Sequence, residues 1–218
     1  KSIIKEVNSL ADNGAKEIVL LGQNVNAYNF VNNGRKINIA DLIEEISKND
    51  HIKRIRYTTS HPINMTDDLI KLHSTNNKLM PFLHLPVQSG SSEILKKMNR
   101  KYDTDLYRKI IEKLRTINPK IEISSDFIIG YPGETDKDFK ETLDLVDEIK
   151  FTQSYSFIYS SRPGTKSSLE EDKTPLSVKK ERLSILQEKL RDLQFEFNQR
   201  LCGKKIDVLV ENHSISNP

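Results

Sequence analysis

Cysteine is nearly absent from this chain. One occurs in 218 residues, Cys202. An intramolecular disulfide is therefore excluded, and so is any zinc or iron–sulfur site that draws several thiolates from this chain. Long apolar runs are missing too. Nothing approaches eighteen consecutive apolar residues, so a spanning helix is excluded and no membrane role is expected. Lys1-Ser2-Ile3-Ile4-Lys5-Glu6 has neither the apolar stretch nor the small-residue cleavage site of a secretory signal, which makes the cytoplasm the expected compartment. A strong charge of one sign is also lacking. Lys and Arg number 34 against 31 Asp and Glu, a net +3, too mild to mark a nucleic-acid binder by charge alone. Hydrophobic residues make up 36% and charged residues 30%. That implies a well-hydrated surface, yet the length suffices for one large domain, or one domain plus part of another.

Several catalytic signatures are absent as well. There is no Walker loop, no G-x-G-x-x-G and no G-x-S-x-G elbow. The five histidines, His51, His61, His73, His84 and His213, show no HxxxH or HExxH spacing, so a histidine–carboxylate metal site has no support. His84 sits inside an apolar run and reads as a satisfied core residue. His61, before Pro62 at a strand end, is a candidate site residue.

What is present is an alternation. Apolar residues at helical spacing mark helices over 3–11, 39–47, 92–98, 104–116 and 136–149, and Thr66-Asp67-Asp68 starts another that holds Leu69, Ile70 and Leu72. Short apolar runs mark strands over 17–21, 53–58, 82–87, 121–129 and 152–159. The Asn- and Gly-rich stretch 25–37 reads as a loop, and no strand hairpin is expected. Strand and helix in turn imply a parallel sheet with helical crossovers. A barrel or partial barrel is favoured over an open sheet because of where the special residues lie. Gly22, Gly90, Gly130, Gly133 and Gly164 all follow predicted strands, and so do Gln23, Asn24, Gln88, Ser89, Glu134, Tyr159, Ser160 and Arg162. Ligands of parallel α/β folds bind at the carboxyl ends of strands, where these loops converge. The Gly130-Tyr-Pro-Gly133-Glu134 loop is the densest. It suits a flat ring lying on exposed backbone with a carboxylate nearby, although a simple turn would also satisfy it.

From about 175 to 202 the pattern becomes one long amphipathic helix, with Leu183, Leu186, Leu190, Leu193, Phe197 and Leu201 spaced 3, 4, 3, 4 and 4. Eight basic residues between 176 and 205 face four acids. They read as a solvated helix face, with phosphate contact as the alternative. Cys202 lies away from every strand-end loop and reads as structural. Residues 204–210 begin an alternating strand, and a boundary falls near Gly203.

Taken in order, six segments resemble the tRNA methylthiotransferases of the MiaB type, which are radical S-adenosylmethionine (SAM) enzymes. They are Leu20-Leu-Gly-Gln-Asn-Val-Asn-Ala-Tyr28, Tyr57-Thr-Thr-Ser-His-Pro62, Pro81-Phe-Leu-His-Leu-Pro-Val-Gln-Ser-Gly-Ser91, Met98-Asn-Arg100, Asp126-Phe-Ile-Ile-Gly-Tyr-Pro-Gly-Glu-Thr135 and Tyr159-Ser-Ser-Arg-Pro-Gly-Thr165. The resemblance implies a partial (β/α)6 barrel over residues 1–202, lacking its first strand. Residues 203–218 would then start a small tRNA-binding TRAM domain. It places Gln23 and Asn24 at the methionine end of SAM, with Gln88 and Ser89 lining the same cavity. Asp126, Ile129, Gly130 and Glu134 would form a wall near the ribose and adenine, flanked by Tyr159 and Ser160.

The implied activity is methylthiolation of isopentenyl-adenosine beside the anticodon of tRNA. It would involve SAM, 4Fe–4S clusters, a reductant protein and a monomeric enzyme. The family's C-x3-C-x2-C cluster motif is absent, so the chain is expected to be a central fragment, inactive alone, with no catalytic or metal-binding residue of its own to name. Two alternatives stay open. One is a truncated, non-catalytic SAM- or tRNA-binding remnant. The other is a metal-independent barrel enzyme acting on a phosphosugar or carbonyl compound, for which Asp126 and Glu134 are the only well-placed acids.

Overall fold

The parallel strands are short and apolar on one face, and a helix whose apolar stripe packs back onto the sheet lies between each and the next. The computed structural model describes residues 2–32, 34–161, 163–164, 167, 170, 172 and 174–210. Arg162, Thr165 and His213 lie outside the described residues. In chain order the elements are α1 (Ser2–Asp12), β1 (Glu17–Leu20), β2 (Asn29–Asn32), β3 (Arg35–Asn38), α2 (Ile39–Ser47), β4 (Arg54–Tyr57) and α3 (Asp67–Thr75). Then come β5 (Phe82–His84), α4 (Ser92–Lys97), α5 (Thr104–Ile117), β6 (Glu122–Ile129), α6 (Asp136–Ile149), β7 (Gln153–Ile158) and α7 (Leu176–Leu201). Single 3-10 turns cover Val25–Ala27 and Pro62–Asn64.

The parallel pairing expected from the alternation is observed. β1 pairs with β4, and β6 lies between β5 and β7, all parallel. Residues 78–80 bridge the two groups: Ile55 N–H donates to Lys78 O at 2.7 Å and Met80 N–H to Ile55 O at 3.0 Å. Ile18, Ile55, Leu83, Ile123 and Phe127 turn to the helices and join one core with Ile43, Leu69, Leu114, Val146 and Leu186. The opposite strand face carries Val19, Asp126, Ile128, Tyr155 and Phe157 and stays partly or fully open.

Helix starts follow from local chemistry. Asn38 with Asp41, and Thr135 with Asp138, each form a reciprocal capping box, which satisfies amides that the first helical turn leaves open. β5 stops at His84 because Pro86 has no amide hydrogen for the ladder.

Three expectations are corrected. The stretch read as a loop contains the antiparallel hairpin β2–β3, with Phe30 opposite Ile37. The Asn-Gly content that suggested a loop is also the composition of a tight hairpin turn, and Gly34 takes φ +79° there. Residues 204–210 form no strand. Ile206, Val208 and Val210 are exposed, and the contact to the strands is Arg54 Nη2 donating to Asp207 O at 3.0 Å. Alternation alone does not make a strand without an edge to pair with. The basic residues of α7 are not uniformly a solvated face either. Lys179 and Arg182 are buried, Lys179 paired with Asp172 and Arg182 with Glu134 and Asp136.

Burial extends to one imidazole. His73, on α3, is 3% exposed, with Nε2 2.7 Å from the Tyr57 hydroxyl. Burial pushes its pKa down to about 4. The unfolded chain then takes up a proton that the folded chain resists, so this contribution to stability is complete above pH 6.5 and lost as pH falls toward 4. Urea denaturation from pH 7 to 4 is expected to show His73→Gln losing less stability than the wild type, by up to about 1.4 kcal/mol per pH unit. Equal slopes would contradict the assignment.

Candidate ligand-binding site

The carboxyl ends of the parallel strands all open on one side, and their loops are tied together before any ligand is considered. Asn26, in the turn after β1, is buried and pairs twice with the backbone of His61 after β4. Its Nδ2 donates to His61 O at 2.9 Å, and its Oδ1 accepts from His61 N at 2.8 Å. The His61 ring stands edge-on to Tyr102, 5.2 Å between centroids. Tyr102 Oη in turn donates to Val87 O at 3.2 Å, beside the end of β5. Burial, and then the charge of Arg100, push the His61 imidazole below its usual range. Thr59 and Gln88 both take left-handed backbone, φ +62° and +72°. For residues with a Cβ this costs about 1–2 kcal/mol each, and such strain gathers at functional sites.

Gln88, Arg100, Ile128, Phe157, Tyr159 and Ser160 line a cavity of about 420 Å3 at the ends of β5, β6 and β7, with Ser167 beside them. This falls within the roughly 300–1,000 Å3 of small-molecule pockets. Two of its polar groups are unspent. Tyr159 Oη is buried without a hydrogen-bond partner, and among the described residues nothing engages the half-buried Arg100 guanidinium. A larger cavity, about 520 Å3, lies between α1, the hairpin and α2. There Arg35 pairs with Asp41 and Lys48 with Glu45, leaving Lys5 and Glu44 as unpaired charges among the described residues, but this cavity lies away from the ends of β5, β6 and β7, and ligands of parallel α/β folds bind at the carboxyl ends of strands. The smaller cavity is the better candidate.

The residues named from sequence divide on this map. Gln88, Tyr159 and Ser160 line the cavity together. Asp126 adjoins it through its carbonyl, which accepts from Gln88 N at 2.9 Å. Its carboxylate lies 3.5 Å from His84 Nε2, and His84 Nδ1 is 2.8 Å from Ser124 Oγ. His84 is thus hydrogen-bonded but only half buried. Gln23 and Asn24 are exposed after β1, outside the cavity lining, and Asn24 Nδ2 donates to Asn64 Oδ1 at 2.9 Å. Ser89 is buried, its Oγ accepting from Ser91 N. Ile129 is fully buried in the core. Cys202 is exposed at the end of α7.

Glu134 is not open to the cavity. Its side chain is 1% exposed, accepting from Gly130 N at 3.1 Å and from Arg182 Nη1 at 2.7 Å. Burial pushes its carboxyl upward, against the Gly130 N–H and Arg182, which favour the charged form. Gly130 needs its left-handed φ of +71°, and the aliphatic stem of Lys179 fills the space a Cβ would take.

Sequence reading assigned no role to Arg100 or Arg182. Arg100 stands in the quoted Met98-Asn-Arg100 segment, which follows α4 and not a strand, so nothing local marks it as a cavity residue. Arg182 lies 48 residues from Glu134, and nothing local signals the pairing.

The profile of the radical SAM superfamily matches residues 1–146. The chain belongs to that superfamily. Among curated proteins it is 53% identical over 212 residues to the tRNA-2-methylthio-N(6)-dimethylallyladenosine synthase of Rickettsia akari (strain Hartford). It is 54% identical over 212 residues to the protein of the same name from Rickettsia canadensis (strain McKiel). Each match covers 97% of this chain and 48% of the relative, so the chain spans about half the length of the curated relatives it matches. Among solved structures, the archaeal Methanocaldococcus infernus Elp3 with an N-terminal deletion aligns with TM-score 0.49 and 15% identity, over 76% of this chain and 43% of that one.

The superfamily implies two groups, which the chain fits differently. SAM suits the strand-end cavity, whose orphaned hydroxyl and free guanidinium await a polar ligand. A 4Fe–4S cluster does not suit the residues present. The chain has one cysteine, no group of three His, Cys, Asp or Glu comes together among the described residues, and such clusters need several thiolates.

Two substitutions test how the site is held. A Cβ on Gly90 would lie 2.4 Å from Thr142 Cα and 2.5 Å from Glu141 O, both backbone of α6. Gly90→Ala is expected to destabilise by about 1–3 kcal/mol, read from the denaturation midpoint. An unchanged midpoint would contradict this close approach. Arg182→Met, which leaves Glu134 buried and alone, is expected to cost about 3–5 kcal/mol, and adding Glu134→Gln should recover most of it. A double variant no better than Arg182→Met would refute the pairing.

Proposed function

We propose that this chain is the SAM-binding part of a tRNA methylthiotransferase, one that converts isopentenyl-adenosine beside the anticodon to its 2-methylthio form. The observation that carries this reading is the strand-end cavity. Its polar groups come from three of the segments that resemble the family: Gln88, Arg100 and Tyr159. The names of the two Rickettsia relatives support the choice of tRNA and of the methylthio product.

SAM, when bound, supplies the methyl and adenosyl groups. The chain's own residues bind and orient it. Ile128 and Phe157 offer apolar surface that keeps water from a flat base. Tyr159 Oη, Ser160 and Gln88 offer hydrogen bonds that fix its edge. Glu134 acts from behind by holding the Gly130 amide. Ile129 and Gly130 would then meet a ligand through backbone, and Gln23 and Asn24 would close the far side of the rim.

The parallel strands form part of a (β/α)6 barrel. Residues 1–202 are its barrel unit, and 203–218 begin a TRAM-type module that engages tRNA. The working enzyme is a cytoplasmic monomer served by a reductant protein.

One observation favours a narrower role for the chain by itself. With a single cysteine and no metal-holding group among the described residues, it binds SAM without splitting it. Calorimetry with the 218-residue chain should give saturable SAM binding. Incubation with SAM and dithionite should give no 5′-deoxyadenosine. Absence of binding would overturn the SAM reading, and release of deoxyadenosine would overturn the non-catalytic one.

A further inference from the structure

β7 is an edge strand. It pairs with β6 on one side and, among the described residues, with no strand on the other. Edge strands are usually guarded by charge or proline, and Gln153-Ser-Tyr-Ser-Phe-Ile158 carries neither. Tyr155 and Phe157 are more than half exposed, side by side on the open face of the sheet. Bare rings on an unguarded edge mark a surface that a partner covers.

The chemistry of the adjoining groove narrows the partner. Tyr155 and Phe157 share a groove of about 270 Å3 with Gln187, Leu190, Arg191 and Gln194 of α7. None of its lining residues is acidic, and Leu190 is the one aliphatic side chain among them. Arg191 is exposed and has no ion pair among the described residues. Two rings, a guanidinium and two amides suit a single strand of nucleic acid, whose bases stack on aromatic rings while its phosphates take the positive charge. The groove is also continuous with the strand-end cavity, because Phe157 lines both. Tyr155 lies two residues before Phe157, about 7 Å along the strand, and opposite Asp126 in the β6–β7 register. The Asp126 carboxylate is partly open, and its one partner among the described residues is His84 Nε2 at 3.5 Å. It keeps room to accept further hydrogen bonds.

We propose that Tyr155 is the stacking platform for an unpaired adenine of the RNA, with Arg191 taking a phosphate of the same strand and Asp126 accepting from the exocyclic N–H of the base. The inference rests on the tRNA reading of this chain and adds the residues that deliver and choose the base. The RNA enters across the open edge of β7, and Phe157 stands between its base and the ligand of the strand-end cavity. An adenine that carries an isopentenyl group keeps one exocyclic N–H for Asp126. Guanine presents a carbonyl oxygen at the equivalent position, which the carboxylate repels.

The test compares the wild-type 218-residue chain with Tyr155→Thr, Tyr155→Phe, Arg191→Gln and Asp126→Asn. Tyr155 and Arg191 are exposed, so their variants should unfold at the wild-type temperature and bind SAM as the wild type does. RNA binding is measured with a stem-loop carrying one unpaired adenosine, with guanosine in its place, and with the fluorescent base 2-aminopurine in its place. Tyr155→Thr should weaken binding of the adenosine stem-loop about 5-fold or more, and Tyr155→Phe should restore it. The wild type should quench 2-aminopurine by stacking, and Tyr155→Thr should not. Arg191→Gln should weaken RNA binding and shrink its log–log salt slope by about 0.7. Asp126→Asn should lose the wild-type preference for adenosine over guanosine. Wild-type and Tyr155→Thr chains that bind RNA equally well would overturn the proposal while leaving the tRNA reading intact. So would a dimer that Tyr155→Thr dissociates with RNA binding unchanged, since a second copy would then cover the edge. A wild type that binds SAM but no RNA would overturn the proposal and the tRNA reading together.

Discussion

The Glu134 carboxylate, 1% exposed, accepts from the Gly130 amide at the end of β6 and from the Arg182 guanidinium on α7. Three elements meet at this one buried group. The strand end is fixed by its amide, α6 begins two residues beyond the carboxylate, and α7 is drawn in by its charge. Tyr131, next to Gly130, packs edge-on against Tyr159 with centroids 4.9 Å apart. The position of Tyr159, and with it one wall of the cavity, follows from the Glu134 junction. Arg182 is further fixed by Asp136 at 2.6 Å and lies over the Phe139 ring. A buried ion pair of this kind adds little net stability compared with apolar packing, but losing one partner is costly. That asymmetry makes the junction a device for positioning the cavity wall.

The other side of the cavity is set by a chain of contacts from Asn26 through His61 and Tyr102 to Val87. It joins the loops after β1, β4 and β5. Thr59 and Gln88 hold left-handed backbone within this rim. Strain of that kind persists where the surroundings over-determine it, and the rim contacts supply the determination. The rim is thus built in advance of any ligand, which lowers the ordering cost of binding. What it leaves unspent, the Arg100 guanidinium and the Tyr159 hydroxyl, is what a ligand can use.

Much of this was legible in the sequence where the signal is local. The apolar spacing of residues 39–47 and 136–149 gives α2 and α6 with their observed ends, because each helix is bounded by a cap read within four residues. The five parallel strands follow from alternation, and the shared layout of their loops points to the end of the sheet where the smaller cavity lies. Local signals fail where a partner lies far away. The Gly130–Glu134 loop reads as a carboxylate offered to a ligand, since nothing nearby announces that Arg182, 48 residues on, has already claimed it. The same long-range pairing turns Arg182 from a solvated face into a buried contact, while Lys179 is buried against Gly130 and pairs with Asp172, seven residues before it. Residues 204–210 alternate like a strand, yet a strand is a pairing, and Ile206, Val208 and Val210 stay exposed. The hairpin β2–β3 was hidden for the opposite reason, as its Asn-Gly content is shared by loops and tight turns.

The central claim is that the ligand lies against Gln88, Tyr159 and Ser160, with Glu134 behind the wall and out of reach. A crystal structure of the 218-residue chain grown with SAM tests this most directly. The account predicts SAM in the cavity at the ends of β5, β6 and β7. Tyr159 Oη or Gln88 should lie within hydrogen-bond distance of it, and the Glu134–Arg182 pair should be unbroken. SAM bonded to the Glu134 carboxylate, or seated in the larger cavity between α1 and the hairpin, would contradict it.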